Sequence, residues 1–205
     1  MKVAVVGGTG AFGQAVATRL AAAGAEVVIG SRDAERAREA AEPLGAEGMA
    51  NEDAVAGVDL VLLAVKSDAA VETARELRTA IGTTPVLSVA AELQFGPGGV
   101  KPTAEATSIA QRIQDELDAP VVSGLHSLAA ANLSEAPPDE DALVCGDDPD
   151  AKALALELAG TLVTGNAVDC GPLASSRALE GMTAVIVNVN KRYKAHAGLR
   201  VTGLH

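Results

Sequence analysis

The chain has 205 residues, of which 48% are hydrophobic, and this is enough for one generous domain or for one domain with a small appendage. Its formal net charge of −11 argues against nucleic acid and anionic membrane surfaces as partners, because both are bound through clustered cations. Aromatic residues make up only 1% of the chain, which excludes the base-stacking platforms of single-strand-binding proteins.

The N-terminal stretch MKVAVVGG is expected to be a buried strand, because its short apolar run stops at glycines and no cleavage site of small residues follows. No apolar run is long enough to cross a bilayer. The two cysteines, Cys145 and Cys170, lack the spacing of a zinc site or a redox pair and are expected to be small buried hydrophobes. We therefore expect a cytoplasmic protein without a metal site.

In the first half of the chain, apolar strands alternate with amphipathic helices. Strands are predicted over residues 2–7, 25–30, 58–65 and 84–90, and helices over residues 10–24, 32–45, 51–57 and 67–80. Asn51 is expected to cap the third of these helices, and the unbroken apolar run of residues 58–65 indicates a strand inside the sheet. Alternation of this kind is typical of a parallel sheet that is covered by helices on both faces.

Residues 91–103, AELQFGPGGVKPT, are rich in glycine and proline and are predicted to form a loop. Beyond it, helices are predicted over residues 104–117, 149–162 and 172–194, and strands over residues 120–125, 142–147 and 166–171. The fold class is therefore α/β, with a Rossmann-like, doubly wound, mostly parallel sheet. Residues 1–120 are expected to form the nucleotide-binding domain, and residues 121–205 a small α/β region packed on it as one compact unit.

A glycine cluster follows the first predicted strand. Gly8, Gly10 and Gly13 have GxGxxG spacing and open the first predicted helix. In this setting the first glycine permits a tight turn, the second lets a pyrophosphate approach the backbone, and the third lets helix and strand pack closely. Free amides at the start of the helix would bind the phosphate. The motif therefore predicts a dinucleotide site rather than a merely structural glycine turn.

The second predicted strand is followed by Ser31 and Arg32, where NAD-binding folds usually carry an acidic residue, and Arg36 comes one helical turn later. A carboxylate there would repel the 2′-phosphate of NADP, whereas Ser31 can donate a hydrogen bond and both arginines can reach the same anion. The alternative is a solvated helix start with pairs such as Arg32 to Glu35. Because cations near a helix N-terminus oppose the macrodipole, the arginines favour NADP over NAD.

Several blocks of sequence, in the order GGTGAFG, GSR, SGLHSLAAANL, VCGDD and DCGPLASSRALE, resemble the F420-dependent NADP oxidoreductase family. The resemblance covers nearly the whole chain. It implies an NADP-binding Rossmann-like domain, an apolar cleft for the deazaflavin F420 formed by the C-terminal region, and reversible hydride transfer between the two cofactors. NADPH and F420 would be the small-molecule partners.

The resemblance also implies functions for individual residues. Thr9 to Phe12 match the family's phosphate loop, and the basic segment after the second strand matches its 2′-phosphate site. Val65 and Ala91 match strand ends that contact the cofactor, while Ala130 and Ala197 match positions packed near the nicotinamide. With the glycine motif, the predicted cofactor-binding residues are Gly8, Thr9, Gly10, Ala11, Phe12, Gly13, Ser31, Arg32, Arg36, Val65, Ala91, Ala130 and Ala197.

Hydride transfer requires little from side chains, because both rings exchange hydride directly once they are stacked about 3–3.5 Å apart and shielded from water. No acid or base catalyst is therefore assigned with certainty. His126 is the candidate, since it follows a predicted strand in the presumed cleft. The alternative for His126 is a structural or positioning hydrogen bond.

Two other functions stay open. An NADPH-dependent reductase of a small imine or carbonyl would share the N-terminal half, but such enzymes usually need a proton donor and often a longer helical dimerisation domain. A non-catalytic NADP(H) sensor would have no use for a second cofactor pocket.

The last predicted helix carries two further features. Its apolar stretch MTAVIVNV makes a homodimer plausible. Its end has a concentration of cations, Lys191, Arg192, Lys194 and Arg200, which either complement the helix dipole or hold the anionic tail of F420.

Overall fold

The computed structural model describes residues 1–204. Its strands are β1 (Lys2–Val6), β2 (Glu26–Ser31), β3 (Glu47–Ala50), β4 (Leu60–Leu63), β5 (Val86–Ser88), β6 (Leu93–Gly96), β7 (Gly99–Pro102), β8 (Val121–Gly124), β9 (Ala142–Gly146) and β10 (Ala167–Asp169). Its helices are α1 (Ala11–Ala22), α2 (Ala34–Ala41), α3 (Asn51–Ala54), α4 (Ser67–Ile81), α5 (Ile109–Gln114), α6 (Ala130–Leu133), α7 (Pro149–Leu162) and α8 (Ser176–Tyr193).

Eight strands form one sheet in the order β10-β9-β8-β5-β4-β1-β2-β3, and all neighbours are parallel except β8 and β9. Alternate residues of the strands face opposite sides, and two large apolar clusters result, with a third and smaller one around Leu143, Cys145 and Leu179. One large cluster joins the sheet to α1, α2 and α7, and the other large cluster joins it to α4 and α5. The predicted doubly wound, mostly parallel fold is confirmed.

The order of the strands also determines where a ligand can bind. The chain runs outward from β1 to β3 and then returns to place β4 on the other side of β1. In open parallel sheets, such a reversal opens a crevice at the carboxyl ends of the strands. Strands from both halves of the chain share this sheet, since Val86 of β5 pairs with Val121 of β8.

The segment predicted as a loop, residues 91–103, is instead an antiparallel hairpin of β6 and β7 around Pro97 and Gly98. Asn188 of α8 holds it, because its Oδ1 accepts the N–H of Val100 at 2.8 Å and its Nδ2 donates to the same residue's carbonyl. This partner lies 88 residues away in the chain. Local glycine and proline content therefore could not reveal the hairpin.

Other elements also differ from the prediction, as helix α8 does by beginning at Ser176. Strand β3, which was not predicted, pairs along the edge of β2, with Ser31 opposite Ala50. Helix α5 begins only after Ser108, because that side chain accepts the N–H of Gln111 and the side chain of Gln111 returns the bond in a capping box. Asn51 is the first residue of α3 and not its cap, since Ala50 occupies the capping position and no side chain caps the helix.

Candidate functional site

The turn between β1 and α1 allows very close backbone contacts. The positive φ of this turn, +83°, lies at Gly7 and not at Gly8, to which the motif assigned the tight turn. A Cβ added to Gly7 would lie 2.6 Å from the carbonyl oxygen of Ala64. A Cβ on Gly13 would lie 2.6 Å from the carbonyl oxygen of Gly7. Gly10 precedes α1 without a side-chain cap, and the first turn carries no acidic residue. The backbone amides in the first turn of α1 are therefore free to bind an anion, as the motif predicted.

A cavity of about 660 Å³, here called the nucleotide cavity, opens beside this turn. It is lined by the glycine turn, by the residues that follow β2 and β4, and by part of α4. The predicted residues Thr9, Gly10, Ser31, Arg32 and Arg36 all line it, together with Val65. Gly8, Ala11 and Gly13 shape the turn beside the cavity but are not in its lining.

Ser31 and the residues after it form the charged end of the nucleotide cavity. The hydroxyl oxygen of Ser31 accepts the N–H of Asp33 at 3.2 Å, so that its own proton is free to be donated. Arg32 and Arg36 form no ion pair among residues 1–204, and the alternative pairing of Arg32 with Glu35 is not formed. Both guanidinium groups are therefore free to bind an anionic ligand.

Asp33 also lines the nucleotide cavity, and the sequence reasoning missed it. Its carboxylate caps α2 by accepting the N–H groups of Glu35 at 3.0 Å and Arg36 at 3.3 Å. An aspartate directly before a helical stretch is a common capping residue and could have been recognised from the sequence. Because its charge is engaged by the helix amides, Asp33 tightens the turn that carries the two arginines.

A second cavity of about 260 Å³, here called the apolar cavity, lies at the carboxyl ends of β4, β5 and β8. Its walls include the predicted residues Phe12, Val65, Ala91 and His126. The other lining residues are mostly aliphatic: Ala64, Val89, Ala90, Leu93, Leu125 and Leu128. Aliphatic walls of this kind suit a flat ring and keep water from it.

His126 is 5% exposed and faces the apolar cavity. Its Nε2 lies 3.2 Å from the carbonyl oxygen of Ala90, so this nitrogen carries the proton and donates it to the hydrogen bond. Burial lowers the pKa of His126 to about 4, and the ring is therefore neutral at pH 7. Its Nδ1 is buried and has no partner among residues 1–204. This nitrogen is an acceptor without a donor in the described part of the chain, and at neutral pH it has no proton to donate.

Two further predicted residues, Ala130 and Ala197, also lie outside the linings of both cavities. Ala130 is the first residue of α6, a helix that packs against α1. Ala197 lies in the segment after α8, where its N–H donates to Oδ1 of Asn190 at 2.6 Å. Neither is in the lining of the nucleotide or apolar cavity.

The predicted cation cluster is partly neutralised. Arg200 pairs with Asp139, and its Nε also lies 3.8 Å from the buried carboxylate of Asp141. The ammonium group of Lys191 lies over the ring of Phe95, 5.4 Å from its centroid. Arg192 and Lys194 are exposed.

Residues 1–204 contain no candidate for a metal centre or for a membrane-spanning helix. No group of three or more His, Cys, Asp or Glu side chains is placed to hold a metal ion in this part of the chain. Within the same range, no helix combines the length and the apolar character that crossing a membrane requires.

Both cavities meet at Ala64 and Val65, directly after β4 and beside the glycine turn, which is where the strand order reverses. Ligands of doubly wound sheets bind at this point. The fold and the site thus define a dinucleotide-binding protein of the Rossmann class.

Comparison with known proteins identifies the family. The family described as "NADP oxidoreductase coenzyme F420-dependent" matches residues 2–92. The F420-dependent NADP reductase of Methanothermobacter thermautotrophicus is 34% identical over 222 residues, which cover 100% of this chain and 96% of the relative. The chain belongs to the family of F420-dependent NADP oxidoreductases.

Solved structures agree with this assignment. A protein from Arthrobacter sp. FB24, provisionally named an F420-dependent NADP-reductase, superposes with a TM-score of 0.81 at 25% identity, over 99% of this chain and 100% of that one. A pyrroline-5-carboxylate reductase from Coxiella burnetii shares the fold, with a TM-score of 0.66 at 16% identity. The match covers 94% of this chain but only 65% of that reductase.

Proposed function

We propose that the protein transfers a hydride reversibly between NADP(H) and the deazaflavin coenzyme F420. The observation that carries this proposal is the pair of adjoining cavities, one with unpaired arginines and one with aliphatic walls. A relative that is 34% identical over the whole chain and is named an F420-dependent NADP reductase supports it.

In this proposal the nucleotide cavity determines which dinucleotide binds. Arg32 and Arg36 hold the 2′-phosphate, and the hydroxyl of Ser31 donates a further hydrogen bond to it. The free amides at the start of α1 bind the pyrophosphate. The nicotinamide end then continues past Val65 into the apolar cavity. This path is open to it because Ala64 and Val65 line both cavities.

The apolar cavity brings the two rings together. Bound NADPH supplies a hydride, and F420 accepts it. Phe12, Val65, Ala91 and Leu128 exclude water from the rings, and the neutral His126 accepts a hydrogen bond from a ring or amide N–H at its free Nδ1. His126 is thus proposed as a positioning group. Ala130 and Ala197 remain predicted contacts of the nicotinamide. Residues 121–205 are proposed to close the deazaflavin cleft over residues 1–120.

The two alternative functions receive less support. A reductase of imines or carbonyls needs a proton donor beside the hydride acceptor, and His126 is neutral with its free nitrogen unprotonated. A sensor of NADP(H) has no use for a second cavity with aliphatic walls.

The decisive experiment mixes the purified protein with NADPH and oxidised F420 and follows the visible absorption band of the deazaflavin. We expect the band to bleach at a rate proportional to the concentration of protein. Tight binding of NADPH without bleaching would contradict the proposal and favour the sensor. Oxidation of NADPH by small imines or carbonyls, again without bleaching, would favour the other reductase.

We also propose that the protein is a cytoplasmic homodimer. Val185 of α8 is 53% exposed, and the nearby exposed aromatic side chains are Phe95 of the hairpin and Tyr193 at the end of α8. An apolar helix side of this kind is suited to pairing with a second copy. Cys145 and Cys170 are free thiols, as expected in a reducing compartment. Sedimentation equilibrium tests the dimer, and finding only monomer would contradict it. Cell fractionation tests the location, and we expect the protein in the cytoplasmic fraction.

A further inference from the structure

Lys66 lines both cavities, and its ammonium group has no acidic partner within the described residues 1–204. It follows β4, precedes α4, and lines both the nucleotide cavity and the apolar cavity. Its side chain is exposed and forms no ion pair among residues 1–204, not even with Asp68, which lines the nucleotide cavity beside it. The function described above leaves this cation without a role.

The neighbours of Lys66 indicate what it contacts. Gly7 of the glycine turn is so close to the end of β4 that an added Cβ would lie 2.6 Å from the carbonyl oxygen of Ala64 and 3.0 Å from Cγ1 of Val65. Lys66 is the next residue along this shared wall. The backbone of Lys66 is therefore close to the glycine turn that leads into α1, and its side chain can extend towards the amides at the start of that helix.

The charges in the nucleotide cavity also indicate that Lys66 binds a phosphate group. Its cationic lining residues are Arg32, Arg36 and Lys66. Arg32 follows β2 and Arg36 lies in the first turn of α2. In the proposed function both bind the 2′-phosphate, which leaves the pyrophosphate with neutral amides and one remaining cation. A chain of net charge −11 has a particular need of that cation to offset its repulsion of an anionic ligand.

We propose that the ammonium group of Lys66 binds the pyrophosphate of the dinucleotide where it passes from the nucleotide cavity to the apolar cavity. This inference rests on the proposed function for the direction in which the cofactor lies. The phosphodiester of F420 offers the same chemistry, but in the proposed function only the ring of F420 occupies the apolar cavity, whereas Lys66 lines both cavities. The pyrophosphate is common to NADPH and NADH, so Lys66 acts on both cofactors alike.

The test compares Lys66→Met with the parent protein by titrating NADPH and NADH and following nicotinamide fluorescence, without F420. We expect both dissociation constants to rise by a similar factor, about fivefold or more at low salt, with a smaller rise at high salt. Lys66→Arg should restore most of the affinity. Lys101→Met is the matched control, because Lys101 is exposed, lines neither cavity, and should leave both constants unchanged.

Each other outcome overturns the assignment. Unchanged affinity for both dinucleotides removes Lys66 from the site, and a loss for NADPH alone would place it on the 2′-phosphate. In separate steady-state kinetics with NADPH and F420, a rise of the Lys66→Met variant confined to the KM for F420 would assign Lys66 to the phosphodiester. Because the titrations omit F420, a parent protein that binds both dinucleotides but does not reduce F420 would refute the proposed function and leave the Lys66 result intact.

Discussion

At the scale of single residues, the side chains proposed to distinguish NADPH from NADH lie in a short segment after β2. Ser31 accepts a backbone N–H and keeps its proton for a ligand, while Asp33 is engaged by the amides of α2. The two arginines are left without acidic partners among residues 1–204. Their positive charge is therefore available to the one group by which NADPH differs from NADH.

The double variant Arg32→Ala with Arg36→Ala should raise the KM for NADPH about tenfold or more and change that for NADH little, because a hydrogen bond to a charged group contributes about 1.5–3 kcal/mol. Steady-state kinetics with each dinucleotide measures this. Arg38→Ala is the control, since Arg38 lies on the same helix outside the cavity lining. Equal losses for both dinucleotides would refute the role in 2′-phosphate binding.

At the scale of elements, the contact between α5 and α8 buries an acid that the proposed mechanism does not use. Glu180 is 1% exposed, and its Oε1 accepts the N–H of Ala110 at 3.2 Å. Beside it, the hydroxyl oxygens of Ser108 and Ser176 lie 2.6 Å apart. Burial raises the pKa of Glu180 to about 7, although the amides of α5 and the nearby cations Arg177 and Arg112 lower it.

This pKa predicts how the stability depends on pH. The pKa of a solvated glutamate is about 4.5, so the folded protein binds more protons than the unfolded chain between about pH 4.5 and 7. The contribution of Glu180 to stability is thus complete below about pH 4.5 and is lost as the pH rises towards 7. Glu180→Gln keeps the acceptor without the charge, and its gain in unfolding free energy over the parent should be about 1–3 kcal/mol larger at pH 8 than at pH 5.

Denaturant unfolding at pH 5 and pH 8 measures the difference between the two proteins. Glu76→Gln is the control, because Glu76 is an exposed glutamate on α4 and its replacement should have the same small effect at both pH values. If Glu180→Gln is equally stable relative to the parent at both values, Glu180 is not protonated in the folded protein near neutral pH.

At the scale of the whole molecule, the distribution of charge bears on how a second anionic cofactor approaches. The chain carries a net charge of −11, yet cations gather where α8 ends. Arg200 is held by Asp139 and Asp141, which removes it from the group that a ligand could use. Lys191, Arg192 and Lys194 remain exposed, with Lys191 over the ring of Phe95.

Neutralising these three cations together, as Lys191→Gln, Arg192→Gln and Lys194→Gln, should weaken F420 binding and leave NADPH affinity nearly intact. The physical reason is that the phosphodiester and glutamate tail of F420 are anionic and would lose their attraction to this surface. The loss should shrink as salt is added. Titration of F420 at low and high salt measures it, and parent-like binding at low salt would show that the cations only complement the end of α8.

The sequence by itself determined the features that depend on residues close together in the chain. The glycine turn, the Ser31-Arg32 segment, helix α7 and the alternation of strands and helices all follow from local spacing and periodicity, and the fold class follows from their order. Only the tertiary structure decided the rest. The hairpin of residues 93–102 depends on hydrogen bonds to Asn188 of α8. His126 is neutral because it is buried, with Nε2 bonded to the carbonyl of Ala90. Lys66 lines two cavities because both open at the end of β4. Each of these properties arises from contacts between distant parts of the chain, and local patterns carry no record of such contacts.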